Sequence, residues 1–324
     1  MNKYFIKRTH CPVCNGKNYK TLRQSNYTQD PIRSYLETLY SSIGCGAEFE
    51  YLVDAQFILN ECNDCELIYQ EEIPDEFLMG RVYGTWNNAD DIKKNIANRS
   101  SDWHLRMAKE TTRVIRFLNK KPGKVKFLDF GMGAGTWCLL AKAYGCDTYG
   151  TDLSSGHEAH AEKMGIKTLN MQDLAKHKFD YINSEQVFEH LAEPLETLTL
   201  LSEALAPGGI IRINVPAGWD VKRRIKVWDW QASLSQQHPD SLNNVAPLQH
   251  INCFTRNSLI HLGNAAGLNF VDVPRLNDNH GSSSICERVK NILTPIYDHL
   301  TLRKVTRRRE ENLQKITNVF YSKR

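Results

Sequence analysis

Apolar residues recur at three- and four-residue spacing through Trp103, Met107, Val114, Phe117 and Leu118, and gather into short unbroken runs after residue 124. The spacing predicts helices between Pro74 and about Lys120, and the runs predict buried strands. Strands are expected from Val125 to Phe130, Thr148 to Asp152, Lys167 to Asn170, Phe179 to Asn183, Gly209 to Val215 and Asn269 to Val273. Helices should start near Gly135, Ser154, Pro194 and Arg256. Gly145 and the pair Gly208 and Gly209 sit where helices stop, and Thr255 sits where an N-cap starts one. Alternation of this kind predicts an α/β fold with a Rossmann-like doubly wound sheet.

The flanks read differently. Residues 1–72 are turn-rich, with short β-like runs from Phe49 to Val53 and from Gln56 to Leu59 and too little apolar material for a core of their own. This is expected to be a small N-terminal module, and residues 73–120 a helical connector or lid. The main domain is expected at 121–286, interrupted at 217–249 by tryptophan-flanked polar stretches without a period, which read as an inserted lid. Residues 287–324 set Ile292, Ile296 and Leu300, then Leu313, Ile316 and Phe320, on one helical face, predicting a helical C-terminal tail.

Charge sharpens this division. The chain of 324 residues carries 41 Lys plus Arg against 37 Asp plus Glu, but 287–324 alone hold ten basic and four acidic residues. The remainder is slightly acidic, so any contact with a membrane surface or a polyanionic partner is expected through the basic tail. Ala47 to Asp75 contains nine acidic residues and no Lys or Arg, which weighs against nucleic acid as a partner. No apolar run is long enough to span a bilayer and no signal-peptide region precedes Lys7 and Arg8, so cytoplasmic residence is expected.

Four of the nine cysteines form two C-x-x-C pairs, Cys11 with Cys14 and Cys62 with Cys65. Two such knuckles can supply a closed tetrahedral Zn²⁺ site with no coordination position left for substrate, so a structural role is expected. A redox dithiol is the alternative, weakened because neither pair opens a helix.

The strongest local signal is Asp129, Phe130, Gly131, Met132, Gly133, Ala134, Gly135 and Thr136, a strand running into a glycine turn that opens a helix. A dinucleotide fingerprint needs a glycine at 136, where Thr136 stands. Asp129 is a poor neighbour for a pyrophosphate and a good one for an ammonium group. Asp152, at the end of the second strand, can accept from both ribose hydroxyls. A cofactor with a ribose but no phosphate fits both.

This stretch resembles the class I S-adenosylmethionine-dependent methyltransferases. The resemblance implies that Asp129, Phe130, Gly131, Gly133, Gly135 and Thr136 cradle the methionine end, that Asp152 and Leu153 meet the ribose, and that Asp173 and Leu174 meet the adenine edge. Glu185 is implied in the floor of the site. Asp173 also reads as a plain helix cap.

With the cysteine pairs ahead of it, the whole resembles sugar methyltransferases, especially the deoxysugar C-methyltransferases, which begin with two C-x-x-C pairs. Cys65 to Tyr69 followed by Pro74, Ser101 to Trp103, and His280 to Ser283 add to the likeness. It implies a sugar or nucleotide-sugar substrate flanked by Tyr83 and His250, although Gln249 stands where that family has glutamate, leaving C- and O-methylation both open. Where that family carries a second α/β domain, the basic tail is expected instead. His190, after Glu189 at the mouth of the expected cleft, can exchange a proton near neutral pH or be a packed histidine. Trp219, Trp228 and Trp230 can stack on a sugar or pack the lid. Two rival readings are an RNA methyltransferase with zinc knuckles and a catalytically silent scaffold of the same fold.

Overall fold

The computed structural model describes residues 2–86, 99–235, 238–274 and 316–323. Its centre is a seven-stranded sheet. The strands are β6 (Lys126–Phe130), β7 (Asp147–Thr151), β8 (Lys167–Thr168), β9 (Phe179–Glu185), β10 (Leu205–Pro216), β12 (Leu268–Val271) and β13 (Ile316–Lys323), in the order β12-β13-β10-β9-β6-β7-β8. β10, β9, β6, β7 and β8 are parallel, whereas β13 is antiparallel to both its neighbours. From β6 the chain steps outward to β7 and β8, then returns to place β9 on the other side of β6. That reversal opens a crevice at the carboxyl ends of β6 and β9, where ligands bind in sheets of this class.

The helices expected near Gly135, Ser154, Pro194 and Arg256 start there. α3 (Ser101–Phe117) is capped by Ser100, α5 (Ser155–Lys163) by Ser154 and α8 (Arg256–Ala265) by a reciprocal Thr255–Ser258 capping box. α4 (Thr136–Ala143) follows the glycine turn and α6 (Pro194–Glu203) opens on its proline.

Two expectations are corrected. Phe49–Tyr51 is a 3₁₀ turn, not a strand. Ile316 and Phe320, expected on a helical face, lie in β13, where Val319 and Tyr321 are fully buried between β10 and β12. The sheet therefore takes an interior strand from beyond residue 286. The rest of the tail, with Ile292, Ile296, Leu300, Leu313 and the arginine cluster, lies outside the described residues, as does His280 to Ser283.

The N-terminal module carries β1 (Phe5–Lys7), β2 (Tyr19–Asn26), α1 (Ile32–Ser42), β3 (Gln56–Cys62), β4 (Ile68–Gln70), β5 (Glu72–Pro74) and α2 (Glu76–Gly84). β11 (Asn252–Cys253), which follows the 217–249 stretch, pairs with β4 and completes the order β11-β4-β3-β2. One apolar core joins Tyr27, Tyr35, Leu36 and Phe57 of the module to Ile225, Trp228, Trp230, Leu242 and Leu248 of the insertion, which includes α7 (Val221–Val227). Trp228 and Trp230 are buried there and offer no face to a ligand, which settles their packing role; Trp219 is exposed. The knuckle residues Cys11, Val13, Cys62, Cys65 and Leu67 join the core of the main sheet.

Candidate functional site

Three glycines in the turn after β6 have positive φ, the left-handed region that glycine adopts at no steric cost. At Gly131 a Cβ would lie 2.4 Å from the Val187 side chain, so this turn and the loop after β9 are in direct contact. At Gly133 a Cβ would meet nothing within 4 Å, leaving open space in front of the backbone. Asp152 accepts from the Gly133 N–H at 2.8 Å, the Ser154 N–H at 2.9 Å and His157 Nδ1 at 3.0 Å. Burial pulls its pKa upward, but these donors outweigh it and hold the carboxylate below its usual range. Leu153, next in sequence, is 94% exposed, an apolar side chain on the surface beside this aspartate.

Asp129 is buried, with one oxygen accepting from Asn183 at 2.8 Å and the other without a donor. Burial pushes its pKa up to about 8, so a cationic group reaching it would restore the charged form. An open glycine cradle, an orphaned buried carboxylate oxygen and a bare leucine beside a ribose-type aspartate together fit S-adenosylmethionine.

Other residues expected at this site are placed as follows. Phe130 is buried, Gly135 caps α4 and Thr136 is its first residue. Asp173 is not a helix cap; it is paired with Lys176 at 2.6 Å. Leu174 is wholly buried in the core, leaving only its backbone for a ligand. Glu185 is bound by Arg106 at 2.7 Å and Arg212 at 3.0 Å, and despite burial these cations hold its carboxyl below the usual range. Its charge is therefore committed to an internal network.

Beside the cradle, the chain brings together Tyr83 from α2, His190 from the loop after β9 and His250 from the end of the insertion. Tyr83 Oη lies 2.7 Å from His190 Nδ1, and the two imidazole rings are 4.8 Å apart between centroids. His190 Nδ1 also lies 2.9 Å from the Gln249 carbonyl, and His250 Nδ1 bonds the Asn243 carbonyl. Burial lowers the pKa of His190 to about 4, and burial with the neighbouring His190 lowers that of His250 to about 3. Gln249, standing where glutamate was expected, donates its amide to Tyr40 Oη at 2.9 Å. The carboxylate of this cluster is instead Glu189, 3.8 Å from His190 Nε2 and 1% exposed.

Arg8 and Asn252 hold the cluster's two loops together. Arg8 donates to Asn252 Oδ1 at 2.9 Å, to the Ala192 carbonyl at 2.8 Å and to the Leu191 and Ile251 carbonyls at 3.2 and 3.3 Å. Asn252 in turn donates to the Phe188 and Leu191 carbonyls. The sequence gives no sign of either role, because the partners are loop carbonyls far along the chain. Glu189 was visible only as the neighbour of His190.

The four knuckle sulfurs lie within 4.8 Å of one another, with Cys11 to Cys65 at 3.6 Å and Cys14 to Cys62 at 3.5 Å. Tetrahedral thiolates at 2.3 Å from Zn²⁺ stand roughly 3.8 Å apart. The two knuckles share one design: Asn15 and Glu66, each just after its pair, have positive φ and return an N–H to the carbonyls of Cys11 and Cys62. The donor set fits a closed structural Zn²⁺ site.

Residues 100–273 match the methyltransferase domain family Methyltransf_23. A ubiquinone biosynthesis O-methyltransferase of Dinoroseobacter shibae is 32% identical over 97 residues, covering 27% of this chain and 39% of that protein. The chain thus spans well under half the length of the curated relatives it matches. Among solved structures, PKMT2 from Rickettsia typhi in complex with AdoHcy superposes with a TM-score of 0.42 at 17% identity, covering 65% of this chain and 53% of that one. Streptomyces venezuelae DesVI gives 0.32 at 24% identity, covering 39% and 56%.

Proposed function

The chain belongs to the methyltransferase domain family, and from that premise we propose that it transfers the methyl group of S-adenosylmethionine to a sugar. The observation that carries the acceptor class is the meeting of Tyr83 and His250, both marked by the resemblance to sugar methyltransferases, through His190, whose loop touches the glycine turn at Val187. S-adenosylmethionine supplies an electrophilic methyl on a sulfonium, displaced in line. The chain's own task is to align the acceptor and take up one proton. Gly131, Gly133 and Gly135 shape the cofactor turn, Asp152 with Leu153 receives the ribose end, and the orphaned Asp129 oxygen faces the demand for a cation. Tyr83, His190 and His250 form the polar wall for the acceptor. The names of the O-methyltransferase relatives favour oxygen as the atom methylated.

The four cysteines are proposed to hold structural Zn²⁺, and the fully coordinated site leaves the metal no part in the transfer. Nucleic acid has no place in this reading. Incubation with labelled S-adenosylmethionine, a panel of nucleotide sugars and an RNA control, followed by product mass spectrometry, tests it. One added methyl on a sugar is expected, and label on RNA alone overturns the sugar reading.

A further inference from the structure

We propose that Glu189, His190 and His250 form a second metal site, one for a divalent cation at the wall of the acceptor cleft and distinct from the cysteine knuckles. Three observations meet here. First, one imidazole nitrogen from each histidine and one Glu189 oxygen lie within 4.8 Å of one another, although the residues come from two loops. Second, Glu189 is 1% exposed and, among the described residues, neither of its oxygens has a hydrogen-bond donor. Two acceptor oxygens without a donor in a buried position demand a cation or a proton.

Third, the tautomers are fixed from outside the cluster. A carbonyl oxygen only accepts, so the Gln249 carbonyl places hydrogen on His190 Nδ1, and the Asn243 carbonyl places it on His250 Nδ1. Tyr83 Oη then accepts a share of the His190 hydrogen. Each ring is left with a bare Nε2 lone pair, and that of His190 is 3.8 Å from Glu189. Imidazoles anchored through the other nitrogen on a backbone carbonyl are how proteins orient histidine metal ligands.

Ligands at 2.0–2.1 Å from a tetrahedral ion stand roughly 3.4 Å apart, close to the 3.8 Å between His190 Nε2 and Glu189. Two imidazoles and one carboxylate suit Zn²⁺, Fe²⁺ or Mn²⁺, and three protein ligands leave positions open. An acceptor oxygen occupying such a position would be oriented and made more acidic. That role rests on the methyl-transfer reading; the site itself does not.

Mn²⁺ is the probe, because it does not displace Zn²⁺ from four thiolates. Full-length protein carrying one Zn²⁺, freed of other metal by mild chelation, is titrated with Mn²⁺ while the free-ion EPR signal is followed. One equivalent should bind, with pulsed EPR showing ¹⁴N couplings from two imidazoles. Glu189→Gln and His250→Ala should lose that equivalent and keep their Zn²⁺ and their circular dichroism. No binding by the wild-type protein, bound Mn²⁺ without nitrogen couplings, or an equivalent retained in folded Glu189→Gln each overturns the site. Calorimetry with S-adenosylmethionine on the same preparation separates the two readings: cofactor binding without Mn²⁺ binding removes the metal site alone.

Discussion

His157 donates to Asp152 across 3.0 Å, and the two groups shift each other's titration in opposite directions. The hydrogen bond to Asp152 raises the His157 pKa above 6.5, and that of Asp152 is held below 3.8. The His157 contribution to stability is complete below pH 6.5 and is lost as pH rises through its raised folded value. That of Asp152 is complete above pH 3.8 and is lost as pH falls through its lowered value. The pair therefore stabilises most between about pH 4 and 6.5. An NMR titration should show His157 above 6.5 in the wild type and returned towards it in Asp152→Asn; an unmoved His157 would contradict the pairing. Asp152 was legible in the sequence because a strand, a glycine turn and an acid at the next strand end are local spacings, whereas its partner His157 was not singled out. Glu189, Asn183 and Arg212 were not, because their roles depend on partners contributed by other strands and loops.

At the scale of elements, helix starts read out well because a cap is a property of four neighbouring residues, as the Thr255–Ser258 box shows. β13 did not read out, because Val319, Phe320 and Tyr321 are buried in succession, as in a strand covered on both faces, and so short an apolar run has no period that separates a strand from a helix. Tyr321 inserts beside Gly263 and donates to the Leu259 carbonyl at 2.6 Å, which pins that strand against α8. Val319→Asp would place a carboxylate in the sheet interior; a loss of about 3 kcal/mol or more in urea unfolding is expected. A change below about 0.5 kcal/mol would put β13 elsewhere. Arg8 is the corresponding test of the loop lock. Arg8→Ala removes four hydrogen bonds, leaving the Leu191 carbonyl its Asn252 donor and the Ile251 carbonyl its Gln70 N–H, and should cost about 2–3 kcal/mol, while raising KM for the acceptor more than it changes cofactor affinity. Equal effects on both would mean that Arg8 acts on stability alone.

For the molecule as a whole, the N-terminal module and the 217–249 insertion share one core, and the knuckles join the core of the main sheet, so the cysteine cluster and the glycine turn belong to one connected body. Composition leads one to expect that the module lacks apolar material for a core of its own; it does not reveal that tryptophans some two hundred residues away pack into it. Cys62→Ser should release Zn²⁺ and lower the thermal midpoint in a single transition, and one equivalent retained by mass spectrometry would contradict the four-thiolate site. The claim on which the rest depends is that the crevice between β6 and β9 takes S-adenosylmethionine. Isothermal calorimetry on the full chain tests it directly. One site should appear in the wild type and weaken roughly 10- to 100-fold in a folded Asp152→Ala, the loss of one charged hydrogen-bond acceptor. No heat of binding in the wild type, or an affinity untouched by the substitution, would contradict it.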